Sequence, residues 1–231
     1  MPNSTKKSLD NVIDFYSGKP LNEVAQERFI RLAPENDGLC MLYTLHEKPE
    51  QFFSIPILCW GLRWNGDVVG LVPWMNAVHV CPDIQDTENG SWEAYYAPDI
   101  DQVFHEAPLH KTFELETSAA YFENHIDCLD SDVLQEIPDN IGTHALLIDN
   151  DKQTLNLTEV ISWRLYGDGS IHGMLVDETK AHTTPILVGD DCLYAASDNS
   201  QFFCYFSHKI ANEIKNHEPE AMATIARLLN S

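Results

Sequence analysis

The sequence predicts an α+β fold, in which an antiparallel sheet built from hairpins is accompanied by helices at both chain ends. Apolar residues recur at helical spacing near both termini, and apolar runs of strand length fill the region between them. Two pairs of these runs are separated by the turn dipeptides Asn65-Gly66 and Asp168-Gly169. With 231 residues, of which 44% are hydrophobic, we expect residues 1–231 to form a single domain.

Two helices are predicted at the amino-terminal end. Residues 9–16 carry apolar side chains at helical spacing, and Gly18 and Pro20 follow as stop signals. A second helix is predicted from Asn22, a favourable N-cap residue, as far as Pro34, because apolar residues again recur on one face. Both helices are expected to pack on one face of the sheet.

Hairpins are predicted to make up the sheet. The apolar runs of strand length lie at residues 40–45, 52–64, 68–74, 144–149, 155–166 and 170–176. Asn65-Gly66 and Asp168-Gly169 each separate two consecutive runs, and these residue types accept the positive φ angles of tight hairpin turns. The sequence therefore predicts antiparallel pairing on either side of both turns.

The carboxyl-terminal end is again predicted to be helical. The apolar positions from Phe202 to Ile214 recur at helical spacing, and Pro219 suits the first turn of a last helix. In the middle of the chain, short helices are predicted at residues 99–105, 118–122 and 131–136. Glu114 and Glu116 alternate with apolar residues, which predicts a half-exposed strand more simply than a pair of catalytic carboxylates.

One internal similarity links the two predicted hairpins. Residues 60–72 align without gaps with residues 163–175, sharing a Trp-x-Leu start, the turn glycine and a second glycine followed by two apolar residues. A duplicated half-domain with a site between its halves would explain the match. Two hairpins that use the same turn chemistry would explain it as well, and the shortness of the motif favours that second interpretation.

The acidity of the chain is concentrated in its middle. The net charge is −22, and residues 83–140 contribute −14 of it, because they contain fifteen acids and only Lys111 as a base. Charge of this sign repels nucleic-acid phosphates and anionic membranes, so neither is expected to bind the chain directly. A carboxylate array can instead hold a Lys/Arg-rich protein surface and imitate the charge of a nucleic acid.

Nine acids of this segment are the candidate partner-binding residues. They form a dense group with a second group before it: Asp127, Asp130, Asp132, Glu136 and Asp139, and Asp83, Asp86, Glu88 and Glu93. Their simplest interpretation is a solvated acidic surface that favours solubility. The specific alternative is a basic protein partner, for example one that normally holds nucleic acid.

A metal site is the main catalytic alternative. His79, Cys81 and Asp83 alternate along the chain and would share one face of a strand, which would suit a metal-assisted hydrolase. Cys204 and His208 are four residues apart and would share one face of the predicted helix. Buried histidine and thiol side chains explain both patterns more simply, so no metal is predicted.

The remaining motifs exclude several classes of protein. The sequence has neither a phosphate-binding glycine loop nor a nucleophile elbow, and Ser170 and His172 read as polar residues on the solvated face of a strand. Six scattered cysteines, without a secretory signal or a long apolar segment, predict free thiols in the cytoplasm. No cofactor is predicted.

The tryptophans give a further alternative. Trp60, Trp64, Trp74 and Trp92 lie close together in the sequence and would suit a small-molecule-binding cleft, although core packing explains most of them. The leading hypothesis is a non-enzymatic, acidic interaction protein that binds a basic protein surface through residues 83–140.

Overall fold

The computed structural model corrects the predicted fold class. It describes residues 27–45, 48–86, 90–119, 131–177, 192–207 and 223. These residues are mostly β, with one helix and four small antiparallel sheets in a propeller-like ring. The α+β prediction, with one sheet and helices at both chain ends, is therefore wrong.

The described strands fall into two series along the chain, separated by the helix α1 (Leu109–Ala119). The first series is β1 (Phe29–Pro34), β2 (Cys40–Leu45), β3 (Lys48–Pro56), β4 (Cys59–Arg63), β5 (Val68–Trp74), β6 (Ala77–Val80), β7 (Gln85–Asp86), β8 (Gly90–Ala97) and β9 (Gln102–Phe104). The second is β10 (Val133–Pro138), β11 (His144–Asp149), β12 (Thr154–Glu159), β13 (Ser162–Tyr166), β14 (Ile171–Val176), β15 (Leu193–Ala195) and β16 (Phe202–Phe206).

The two series build the same pair of sheets. In the first repeat, residues 29–97, one sheet has the order β1-β4-β5-β6 and the other the order β3-β2-β8-β7, with β9 added beside β8. In the second repeat, residues 133–206, the corresponding orders are β10-β13-β14-β15 and β12-β11-β16. The similarity seen in the sequence is therefore part of a structural repeat that extends well beyond one hairpin.

The strand registers repeat as closely as the strand orders. Ala33 pairs with Trp60 in the first repeat, and Ile137 pairs with Trp163 in the second. The ladders β1–β4 and β10–β13 carry a register shift at the same place, and so do the ladders β2–β8 and β11–β16. The predicted hairpin turns are present in both repeats, where Gly66 and Gly169 adopt positive φ angles.

A tryptophan and a carboxylate hold each repeat together at equivalent positions. The indole N–H of Trp60 donates to Glu35 at 2.6 Å, and that of Trp163 donates to Asp139 at 2.9 Å. Each carboxylate also accepts two backbone N–H groups of the turn that follows it. Since both indoles are fully buried, these bonds supply the partner that a buried indole N–H requires.

A tyrosine and a glycine form the second repeated contact. The backbone N–H of Gly70 donates to the hydroxyl of Tyr95 at 2.9 Å, and that of Gly173 donates to the hydroxyl of Tyr205 at 3.0 Å. Each tyrosine ring lies 4.8 Å from the tryptophan ring of its own repeat. Burial is the main cause of the raised pKa of both tyrosines, that of Tyr205 to about 12, so both hydroxyls stay protonated.

The two repeats meet through β1 and β10. The side-chain amide of Gln135 accepts from the backbone N–H of Leu32 and donates to its carbonyl, both at 2.8 Å. Asn140 donates to Asn36 at 2.9 Å, and these two residues occupy equivalent positions in the repeats. A contact between equivalent positions is what an approximate two-fold relation produces. One hydrophobic core also takes residues from both repeats, Leu32 and Trp163 among them.

Several local predictions fail because distant strands decide the conformation. The helix predicted up to Pro34 is replaced by β1, and the helix predicted from Phe202 is replaced at residues 202–206 by β16. The helices predicted at residues 99–105 and 131–136 are replaced by β9 and β10. Pairing with β4, β11, β8 and β13 supplies hydrogen bonds that local periodicity does not reveal.

The strand predicted at Glu114 and Glu116 is also wrong, because these residues form part of a helix. These residues belong to α1, where Lys111 and Leu115 are buried four residues apart on one helical face. The helices predicted at residues 9–16, 118–122 and after Pro219 lie wholly or mostly outside the described residues. No helix within the described ranges is long and apolar enough to cross a membrane.

Candidate binding groove

An apolar groove lies beside the first repeat, where α1 begins. Its volume is about 950 Å³, and the β1–β2 turn, the β8–β9 loop and the segment that leads into α1 surround it. Its lining residues are Asp37, Leu39, Ala97, Asp99, Ile100, Phe104, His105, Glu106, Ala107, Pro108, Leu109 and His110. A volume of this size is typical of sites that hold a ligand or an anchoring segment of a partner.

Large apolar side chains at the groove are exposed to solvent. Ile100 is 60% exposed and Leu109 is 87% exposed, and both line the groove. Phe113, one helical turn after Leu109, is also exposed. A group of exposed large apolar side chains beside a cavity is typical of binding surfaces.

Carboxylates surround this apolar floor. Asp99 and Glu106 line the groove and make no hydrogen bond or ion pair with another described residue. No lysine or arginine is among the lining residues that the structure describes. The groove therefore offers an apolar surface with negative charge at its edge, which would complement a cation on an apolar body.

The third carboxylate of the groove, Asp37, is already neutralised from inside the protein. The ammonium of Lys111, which is nearly fully buried, lies 2.9 Å from Asp37 and 3.6 Å from Glu35. Hydrogen bonds from Lys111 and then from His110 hold the pKa of Asp37 below its usual value. The single base of the acidic segment thus fixes α1 to the first repeat, and Asp99 and Glu106 remain available to a ligand.

A second cavity of about 550 Å³ adjoins the groove. Its lining residues are Leu42, Phe52, Ser54, Glu93, Ala94, Tyr96, Val103 and His105. His105 lines both cavities. Phe52 and Val103 are exposed here, as Ile100 and Leu109 are in the groove.

The structure gives four of the predicted partner-binding acids internal partners. Asp83 lies 3.4 Å from Arg63, and Glu93 accepts from the hydroxyl of Thr44 at 2.6 Å. Glu136 accepts from Ser162 and Arg164, and Asp139 caps the turn described above. These contacts show that part of the acidic density serves the fold, and the partner-binding role of these residues stays a prediction.

The other five predicted acids lie either on the surface, on the short strand β7 or outside the described residues. Asp132 is exposed at the start of the second repeat, and Asp86 belongs to β7. Asp127, Asp130 and Glu88 lie outside the described residues. Within the described part of residues 83–140, the carboxylates that border the groove are Asp99 and Glu106, and neither is among the predicted partner-binding residues.

The predicted metal ligands lie in different surroundings. Cys81 is fully buried, whereas Asp83 is largely exposed beside Arg63. Burial lowers the pKa of His79 and raises that of the Cys81 thiol, so both favour their neutral forms. Cys204 is buried on a strand, and His208 lies outside the described residues. No group of three ligand-type side chains suitable for a metal occurs among the described residues.

A small polar cluster lies in the second repeat, between the β13–β14 hairpin and the turn after β15. The two ring nitrogens of His172 lie 3.1 Å from the hydroxyl of Ser170 and 3.0 Å from that of Ser197. The sequence predicts only polar side chains on a solvated strand face for Ser170 and His172. The structure brings them together with Ser197 in a cavity of about 220 Å³. The hydrogen bonds join the hairpin turn to the turn after β15, as Arg63 and Asp83 do in the first repeat.

The tryptophans do not build the groove. Trp60 and Trp163 are buried in the core, Trp74 stacks on Tyr43, Trp92 packs against Tyr95, and Trp64 is exposed. None of them lines the groove among its described residues. No protein-family model, curated protein or solved structure matches the chain, so its possible functions rest on this geometry.

Proposed function

We propose that the chain is an acidic interaction protein that binds a basic segment of a protein partner at the groove. The observation that carries this proposal is an apolar cavity with exposed Ile100 and Leu109, bordered by the carboxylates of Asp99 and Glu106. Lysine and arginine side chains combine a cationic head with an apolar stem, so a Lys/Arg-rich surface complements both parts. A nucleic-acid-binding protein is one class of partner with such a surface.

The overall charge supports the same proposal. The net charge of −22 would steer a basic partner toward the protein and repel nucleic acids themselves. The cysteines among the described residues are free thiols, which fits the proposed location in the cytoplasm. We propose binding rather than catalysis as its role.

A cationic small molecule is the second candidate for the groove. Its volume of about 950 Å³ and its largely apolar wall suit an amphiphilic amine as well as a protein segment. Binding of a free alkylamine with an affinity as high as that of a basic peptide would favour this candidate. A metal-assisted hydrolase has no comparable support within the described residues.

A labelled peptide tests the proposal. A fluorescent Lys/Leu peptide of roughly 15 residues is expected to bind the protein in about 0.02 M NaCl and to dissociate in about 0.3 M, because salt screens the ion pairs. Replacing Asp99→Asn and Glu106→Gln together is expected to weaken binding about fivefold in fluorescence anisotropy. A Glu/Leu peptide of the same length should not bind.

The control variant removes two negative charges from the second repeat instead of from the groove. Asp151→Asn with Glu159→Gln alters one exposed aspartate and one exposed glutamate of the second repeat, and it should leave peptide affinity near that of the unmodified protein. Amide variants of Asp127, Asp130, Asp132 and Glu136 test the rest of the acidic segment in the same assay. Equal affinities of the groove variant and the control variant would refute a site at the groove.

A further inference from the structure

The second cavity extends the proposed site around strand β9. The short strand β9 pairs with β8, and adjacent side chains of a strand point to opposite faces. Phe104 lines the groove, whereas Val103 lines the second cavity. The two cavities therefore lie on opposite faces of β9, and His105, directly after the strand, lines both.

The second cavity has the same chemical character as the groove. Phe52 is 60% exposed and Val103 is 53% exposed, and both line it. Its described lining contains one carboxylate, that of Glu93, and neither lysine nor arginine. Exposed large apolar side chains at two adjoining cavities, with a carboxylate beside each, are typical of a binding surface.

We propose that one basic segment of a protein partner occupies both cavities. An apolar side chain of the segment enters each cavity, the segment passes over His105 at the end of β9, and its Lys/Arg side chains face Glu93, Asp99 and Glu106. This inference rests on the proposed function, because it assigns a second subsite to the same partner. It predicts that recognition requires two apolar anchors as well as positive charge.

Single substitutions separate the two subsites. Leu109→Ser alters the groove, Phe52→Ser alters the second cavity, and Leu157→Ser alters an exposed leucine of the second repeat as a control. All three side chains are exposed, so the variants are expected to keep the unfolding midpoint of the unmodified protein to within a few degrees. Thermal unfolding by circular dichroism checks this condition for each variant.

The probes are lysine-rich peptides with two leucines separated by roughly two to six residues, and matched peptides in which one leucine is serine. For the best two-leucine probe, Leu109→Ser and Phe52→Ser are each expected to raise Kd about tenfold, while Leu157→Ser should leave it unchanged. For the one-leucine probe, Leu109→Ser or Phe52→Ser alone should weaken binding less than for the two-leucine probe, because the single leucine can occupy the cavity that remains.

The outcomes distinguish this inference from the proposed function. If the charge variant of Asp99 and Glu106 weakens binding but Phe52→Ser has no effect at any leucine spacing, the second subsite is refuted and the groove remains. If neither has an effect, both proposals are refuted. Sedimentation of the unbound protein gives a third outcome: a dimer that Phe52→Ser dissociates would assign this surface to a second copy of the chain and refute the inference.

Discussion

The helix α1 places a buried cation beside Glu35 of the first repeat, whereas the equivalent Asp139 of the second repeat has no buried cation beside it among the described residues. Glu35 and Asp139 hold equivalent tryptophans and turns, but only Glu35 also lies beside a buried ammonium, that of Lys111 in α1. The groove forms beside this ammonium, between α1 and the first repeat. Residues that recur in both repeats therefore account for the fold, whereas residues found in one repeat are the better candidates for function.

The turns after β6 and β15 are equivalent in the two repeats, but different side chains hold them. Arg63 and Asp83 join the hairpin turn to the next turn in the first repeat, and His172 with two serines does so in the second. The aligned positions of Ser170 and His172 in the first repeat are Asp67 and Val69, so this scaffold forms with or without the polar cluster. A shared architecture thus tolerates different chemistry at its turns.

Removal of the two equivalent carboxylates should have the largest effect. Glu35→Ala is expected to lower the free energy of unfolding by about 4 kcal/mol, because three hydrogen bonds are lost and Lys111 keeps only the half-exposed Asp37. Asp139→Ala, which removes three hydrogen bonds, is expected to cost about 2 kcal/mol. Urea unfolding of both variants measures the difference.

A second substitution identifies the source of that difference. In a protein that already carries Lys111→Met, the costs of Glu35→Ala and Asp139→Ala should become similar, because no buried ammonium is left without its partner. If Glu35→Ala remains the more costly change by the same amount, the asymmetry between the repeats does not come from Lys111.

The two glycines under the tyrosine rings should have equal and intermediate effects. A Cβ atom at Gly70 would lie 2.7 Å from the ring of Tyr95, and one at Gly173 would lie 2.9 Å from the ring of Tyr205. Both rings are buried, so Gly70→Ala and Gly173→Ala are each expected to cost about 1.5 kcal/mol through overpacking. A large cost at one glycine alone, measured by urea unfolding, would show that the repeats are packed differently.

The smallest effect is expected at a position where the repeats differ in charge. Burial opposes ionisation of Glu136, but hydrogen bonds from Ser162 and Arg164 outweigh it and lower the pKa below the ordinary 4.5. This lowered pKa adds stability above about pH 4.5, and the addition disappears as the pH falls through the folded-state value. Since Glu136 is partly exposed, Glu136→Gln is expected to cost about 0.5 kcal/mol at pH 7.

The pH dependence separates this ion pair from a general loss of stability. The difference in unfolding free energy between the unmodified protein and Glu136→Gln should shrink from pH 7 to about pH 3. Leu32→Ala changes the equivalent position of the first repeat and removes no titrating group. Its cost, measured as the same difference in unfolding free energy from the unmodified protein, is expected to be equal at both pH values. A constant cost of Glu136→Gln would show that its charge is not involved.

The sequence contained the local features of the fold but not the distant ones. The hairpin turns at Gly66 and Gly169 could be predicted because a turn depends on the φ angle of the residue itself. The strands β1 and β16 could not, since their apolar residues also fit a helical period and only pairing with β4 and β11 decides the conformation.

The extent of the repeat was hidden by differences in loop length. Trp60 and Trp163 are 103 residues apart, whereas Tyr95 and Tyr205 are 110 apart, so no ungapped alignment contains both pairs. The candidate groove was hidden as well, because Asp37, Asp99 and Leu109 come together only after folding. Lys111 was an available signal, since the single base among fifteen acids has a role that the bulk charge does not explain.

The amide of Gln135 also has a consequence for association between molecules. β1 is the edge strand of its sheet, and such edges can recruit strands from other chains and begin aggregation. By binding both the N–H and the carbonyl of Leu32, Gln135 occupies the groups to which an intruding strand would bond. One side chain from the other repeat thus protects the edge without adding a strand, and it leaves the ring closed to a neighbouring molecule at that point.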